Sequence, residues 1–231
     1  MKSAPWVAGS ALCLLLVALA TANPFSPLRK VVPLDFTGID TLELHGVMPQ
    51  IEISSRQAAT ASYSDEVDRT LEVVRKGNRL LITGHSEGWL DVQLSVPPSV
   101  RRFGLQGARI VTKEPLQSIQ VLSSNGLTWE GDVALLDLRD IADHSKDKDD
   151  ECSCSGTNFT VSDGHIAELL VRSPHGTLSL SEPDKIGAAY AWLGEKGGVS
   201  LDRARRFDNI HLLTSANQLP DAVRVTPPTN P

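Results

Sequence analysis

Four times in the second half of the chain, a small cluster containing glycine separates two short apolar bursts. The stretches are LQGARIV (105 to 111), LSSNGLTW (122 to 129), VRSPHGTLSL (171 to 180) and LGEKGGVSL (193 to 201). Gly107 and Gly126 are 19 residues apart, Gly176 and Gly197 are 21 apart. Glycine supplies the positive φ that a tight corner needs, and serine or asparagine beside it can hydrogen-bond the turn backbone. A period near twenty in short strands predicts a solenoid whose coils stack and bury a continuous ladder of side chains. A β-sandwich with hairpins at similar spacing is the alternative.

The segments between corners read as strands. Apolar residues alternate at period two in LELHGV (42 to 47), IEI (51 to 53), LEVV (71 to 74), RLLITG (79 to 84), LDVQLSV (90 to 96), IQVL (119 to 122), LLDL (135 to 138), LLV (169 to 171), LSL (178 to 180), VSL (199 to 201) and IHLL (210 to 213). This is the pattern of strands buried on one side. The one weak helical stretch, YSDEVDRTLEVV, turns to alternation in its second half. The expected class is therefore all-β, as a right-handed parallel β-helix or β-solenoid.

The ends carry different signals. Lys2, an apolar run from Ala11 to Ala20, and small residues at Ala20 and Ala22 have the layout of a secretory signal peptide over 1–22, with cleavage between Ala22 and Asn23. The apolar run is shorter than the roughly 20 residues that cross a bilayer. Cys13 is followed by Leu14 to Leu16 inside that run, which disfavours a lipid-modified cysteine. Residues 23–33 contain three prolines and read as an extended segment, and 218–231 form a proline-rich tail ending TPPTNP. Between them, 34–217 is expected to be one solenoid domain. After cleavage no transmembrane segment is expected, and location would be the periplasm or the outer cell surface.

The whole chain has a formal net charge of −6, and loss of Lys2 with the leader makes it −7. Such a balance gives no electrostatic reason to bind nucleic acid or an anionic membrane.

At this point the residues resemble a family. DFTGIDTLELHGVMPQIEI is similar to the opening of the auto-transporter adhesin, head GIN domain family, an exported bacterial domain of unknown function. GNRLLITG, then LDVQLSVPPSVRRFGLQGARI, resembles its next signature, and LSSNGLTWEGDVALLDL its serine and glycine corners. The resemblance spans most of Val31 to Leu213. It implies an exported parallel β-solenoid and offers no catalytic residue to transfer. The sequence departs from the pattern in an acidic, cysteine-containing insert at 143–157 and in the corners SPHG and GEKGG.

That insert, with HSKDKDDECSCSG at 144 to 156, is the stretch most like a chemical device. Asp147, Asp149, Asp150 and Glu151 offer oxygen to a hard cation, but the spacing of a calcium loop is absent and Lys146 and Lys148 intervene. Cys152 and Cys154 with His144 or His165 supply soft ligands, yet a lone C-x-C pair falls short of the four ligands of a closed zinc site. A Cys152 to Cys154 disulfide suits an exported chain better, although a bridge two residues apart requires a bent backbone. The simplest reading is a solvated loop between strands.

Elsewhere, His45, His85, His175 and His211 are scattered, and no spacing suggests a nucleophilic triad. Asp140, Asp143 and Asp163 could line one face as paired carboxylates for sugar hydrolysis, though aspartate is also an ordinary corner residue. Trp89, Trp129 and Trp192 could stack on sugar rings if they shared an exposed face; burial in the core is the alternative. Asn158-Phe159-Thr160 fits the glycosylation triplet. Together these observations point to an exported, non-catalytic interaction module for an envelope protein or a glycan, with no cofactor. A β-helix polysaccharide enzyme or a metal-responsive envelope protein are the alternatives.

Overall fold

The computed structural model describes residues 29–66, 68–141, 157–194, 197–201, 209–215 and 218–219. Apart from one 3-10 turn at Pro183–Lys185, its elements are strands: β1 (Arg29–Pro33), β2 (Thr41–His45), β3 (Val47–Ile53), β4 (Thr60–Ser64), β5 (Thr70–Lys76), β6 (Arg79–His85), β7 (Leu90–Val96), β8 (Arg102–Leu105), β9 (Ala108–Thr112) and β10 (Leu116–Ser123). They continue with β11 (Gly126–Glu130), β12 (Val133–Asp140), β13 (Asn158–Asp163), β14 (Ile166–Arg172), β15 (Thr177–Leu180), β16 (Ile186–Trp192), β17 (Gly198–Leu201) and β18 (Ile210–Leu212).

Two large mixed sheets result. The first runs β1-β4-β7-β3-β9-β11-β13-β15-β17 and the second β18-β16-β14-β12-β10-β8-β2-β6-β5. From β8 to β18 the chain changes sheet at every corner, so each strand lies parallel to the strand two along, as β10 does to β8 and β12. Gly107 and Gly126, singled out by their spacing, consequently begin or precede the neighbouring strands β9 and β11.

The all-β expectation holds, and the glycine period is the step from one layer of strands to the next. No closed β-helical coil is seen among the described residues. The layout is two packed layers, as in the sandwich alternative, but joined by parallel crossings instead of hairpins. At the N-terminal end the order departs further, because β6 and β7 sit outside β2 and β3, and β1, β4 and β5 pair antiparallel. Part of the segment read as extended, Arg29–Pro33, is therefore a paired strand.

The core is two facing ladders. In the second sheet Leu42, Phe103, Val121, Leu138, Val171 and Ala191 occupy one register, all buried. In the first, Leu94, Ile51, Ile110, Trp129, Val161 and Leu180 do the same. Alternation forces this: with period two, the apolar half of every strand points to the space between sheets, and each such side chain contributes about 1.5–3 kcal/mol on burial. Trp129 keeps its polar atom satisfied there, since its Nε1–H donates to the Gly131 carbonyl at 3.0 Å. Leu34, Phe36 and Ile39, between β1 and β2, join the same core.

Several sequence expectations fall outside the described residues: the leader with Ala22 and Asn23, most of the 218–231 tail, and Asp143, His144, Asp147, Asp149, Asp150, Cys152 and Cys154 of the insert.

Candidate functional site

The polar half of each strand builds the two outer faces. On the first sheet, Ser62, Gln93, Gln50, Arg109, Thr128, Thr160, Ser179 and Ser200 follow one another in register across eight strands. Strands are spaced about 4.8 Å apart, so this is an evenly stepped row of hydrogen-bonding groups. Seven of its eight members, all but Arg109, make no side-chain hydrogen bond among the described residues. Arg109 is held by Glu130, with Nε donating at 3.0 Å and Nη2 at 2.9 Å. That bidentate bond and the carboxylate's charge raise the guanidinium's pKa further and occupy one edge of its fork.

Two shallow depressions open along the row and share Gln50 and Arg109. One, of about 450 Å³, lies over Gln93, Ser62, Glu52 and Lys113. The other, of about 530 Å³, lies between Trp89 and Met48 on one side and Asn158 and Thr160 on the other, floored by Gly107 and Gly126. Trp89 is 48% exposed and Met48 55%. The floor exists because these positions carry no side chain: Gly126 has φ +141°, and a Cβ there would meet the Asn158 carbonyl at 3.0 Å.

The tryptophans expected on one face are separated. Trp129 is wholly buried in the core, Trp192 lies on the second sheet opposite Arg172, and Trp89 alone borders the depression. The corner aspartates are also kept apart. Asp140 ends β12 and accepts from Ser173 Oγ at 2.8 Å, whereas Asp163 ends β13, a strand of the other sheet running to the opposite corner. Asp163 is instead paired with Lys185 at 2.8 Å. Hydrogen bonds from Lys185, then from the Gly164 N–H, hold its carboxyl below the usual range, while the bonds of Lys185 to Asp163 and Glu182 raise its ammonium. An acid fixed in its ionised form by a lysine is a poor proton donor, and Glu182, the carboxylate beside it, is bound by the same Lys185.

The histidines likewise stay dispersed. His165 sits 3.6 Å from Asp132, His85 sits 3.6 Å from Glu72, and His211 stacks on Tyr190 with ring centres 4.9 Å apart. Among the described residues no group of three or more His, Cys, Asp or Glu could hold a metal, and no helix is long and apolar enough to cross a membrane. Asn158 of the glycosylation triplet is exposed but lies within β13, its Oδ1 accepting a hydrogen bond from Thr177.

What the sequence reading missed is the polar row. Its members are scattered over 139 residues, from Ser62 to Ser200, and only strand pairing, antiparallel at Ser62 and parallel from Gln93 onward, aligns them. The available signal was the polar position inside each alternating burst, such as Thr128 in GLTWE and Thr160 in NFTVS.

No family model matches the chain, and no curated protein does. Among solved structures it is similar to a "putative adhesin" of Parabacteroides distasonis, with 13% identity and a TM-score of 0.45 over 75% of this chain and 69% of that one. Another of that description from Bacteroides fragilis has 9% identity and a TM-score of 0.44, covering 81% and 94%. A third, from Parabacteroides merdae, has 8% identity and a TM-score of 0.41, covering 83% and 95%. With scores this low, membership of the GIN domain family stays a resemblance, and function has to be argued from the chain's own residues.

Proposed function

We propose that this chain is an exported, non-catalytic binding module, a flattened β-solenoid whose first-sheet outer face holds an extended polymer lying across the strands. The observation that carries this reading is the registered row of Ser62, Gln93, Gln50, Thr128, Thr160, Ser179 and Ser200, whose hydrogen-bonding capacity is not used within the described chain. A repeating ligand can match a repeating row at many weak points at once, and each hydrogen bond contributes about 0.5–1.5 kcal/mol. The two depressions that meet at Gln50 and Arg109 give such a ligand a continuous bed. The signal-peptide layout of the first 22 residues supports export, and separation of Asp140 from Asp163 supports a role without chemistry on the ligand.

A panel of immobilised polysaccharides and extended peptides, screened with the purified protein, tests the reading. Capture of a polymer that weakens about tenfold in the Gln50→Ala, Gln93→Ala double variant, and is unchanged by Leu122→Gln on the other sheet, is the expected result. Capture indifferent to the first pair, or no capture at all, overturns it.

A further inference from the structure

Resting on the face reading above, we infer that the polymer is a neutral polysaccharide and that the depression floored by Gly107 and Gly126 seats one of its sugar rings, stacked on Trp89. Three observations converge on that notch.

The first is shape. Gly107 and Gly126 interrupt the outer face where every neighbouring strand carries a side chain, as β7 does with Asp91 and β13 with Asn158. The depression they floor measures about 530 Å³, enough for a ring and parts of its neighbours. Because Gly126 combines positive φ with a close Asn158 carbonyl, the opening is built into the backbone and does not depend on a rotamer.

The second is the chemistry of the walls. Trp89 and Met48 form an apolar side, both about half exposed, although the rest of the face is polar. Asn158, Asn125, Asp91 and Thr160 stand around the remaining rim. A pyranose ring has an apolar face and a rim of hydroxyls, so it needs one aromatic platform and several amide or carboxylate partners in this arrangement.

The third is what the notch lacks for other ligands. The strands beneath it, β3, β9 and β11, are paired on both sides, so no backbone N–H or C=O is open to an added peptide strand. Arg109, the cation bordering it, is committed to Glu130, and Asp91 adds a carboxylate of its own, which disfavours an anionic polymer.

The test is calorimetric titration of the full chain with a neutral hexose oligosaccharide series, a uronic-acid oligosaccharide of equal length, and an extended peptide. The neutral series is expected to bind, Trp89→Ala to weaken it about tenfold or more, Trp89→Phe to retain most of it, and Thr128→Tyr to abolish it by filling the notch. Circular dichroism melting shows whether each variant remains folded. Stronger binding of the uronic-acid oligomer or peptide, or binding by Trp89→Ala equal to the parent, overturns the inference. If a polymer still responds to Gln50→Ala, Gln93→Ala in that event, the face reading survives and the notch alone is wrong; if it responds to neither set, both fail.

Discussion

The row of polar groups on the first outer face is left unsatisfied, whereas several polar side chains of the second sheet's outer face are paired with one another. There Arg139 grips Asp137 with bonds of 3.0 and 2.6 Å, Gln120 donates to Asp137 at 2.9 Å, and Arg79 pairs with Glu43 at 3.0 Å. Leu81, Leu122, Leu135 and Leu170 fill positions between them, and Leu170 is only 4% exposed although it points away from the core ladder. On the first face the row from Ser62 to Ser200 consists, Arg109 apart, of hydroxyls and amides that make no side-chain hydrogen bond among the described residues. The backbone geometry of the two sheets is alike, so the contrast lies in side-chain length and pairing. A face whose polar groups close on one another gains stability; one whose groups stay open keeps capacity for a ligand.

The largest effect should come from what both faces share. Trp129→Ala removes the biggest wholly buried side chain and its bond to Gly131, and a loss of about 3–5 kcal/mol is expected in urea unfolding. If the two faces respond together, in a single transition, the layers form one cooperative unit; a variant that unfolds only one sheet would break the comparison at its base.

Next in size is the difference between faces. Asp137→Ala strands Arg139 without its carboxylate and leaves the Gln120 amide unpaired, and should cost about 1–3 kcal/mol. Thr128→Ala or Thr160→Ala on the first face should stay within about 0.5 kcal/mol of the parent, because neither hydroxyl is used internally. Equal losses on both faces, read from the same unfolding curves, would remove the distinction on which the binding face rests.

The smallest effect concerns the corner that joins the faces. The Asp163 carboxyl is depressed below its ordinary value of 3.8 chiefly by the Lys185 hydrogen bond. A depressed folded pKa stabilises the fold above the unfolded value and loses that contribution as pH falls through the folded one. Asp163→Asn should therefore lower the melting temperature slightly at pH 7, and the gap should close as pH falls below the ordinary carboxylate range. A gap that persists in acid would mean that Asp163 acts through something other than its ion pair.

Much of the architecture was legible because strand formation is a local matter. LDVQLSV maps onto β7 residue for residue, and LSL, VSL and LEVV all fall within strands. Where the local signal was weak, strands were missed: IGAAYAW, now β16, has small residues at two outer positions, and TASYS, now β4, is mostly hydroxyls. The corner aspartates and the tryptophans could be picked out as residues but not as neighbours. Trp129 and Trp89 look equivalent in a string, yet one is wholly buried and the other half exposed.

The sequence by itself determined that the chain is built of strands, that their apolar halves must meet, and that glycine corners recur near every twentieth residue, since alternation and backbone freedom are properties of a few adjacent residues. Which strands become neighbours was decided only in the tertiary structure. Pairing aligns residues far apart in the chain, and nothing in one strand's pattern names its partner. The row from Ser62 to Ser200, the notch over Gly107 and Gly126, and the separation of Asp140 from Asp163 all come from that pairing, which puts side chains distant in sequence one strand spacing apart.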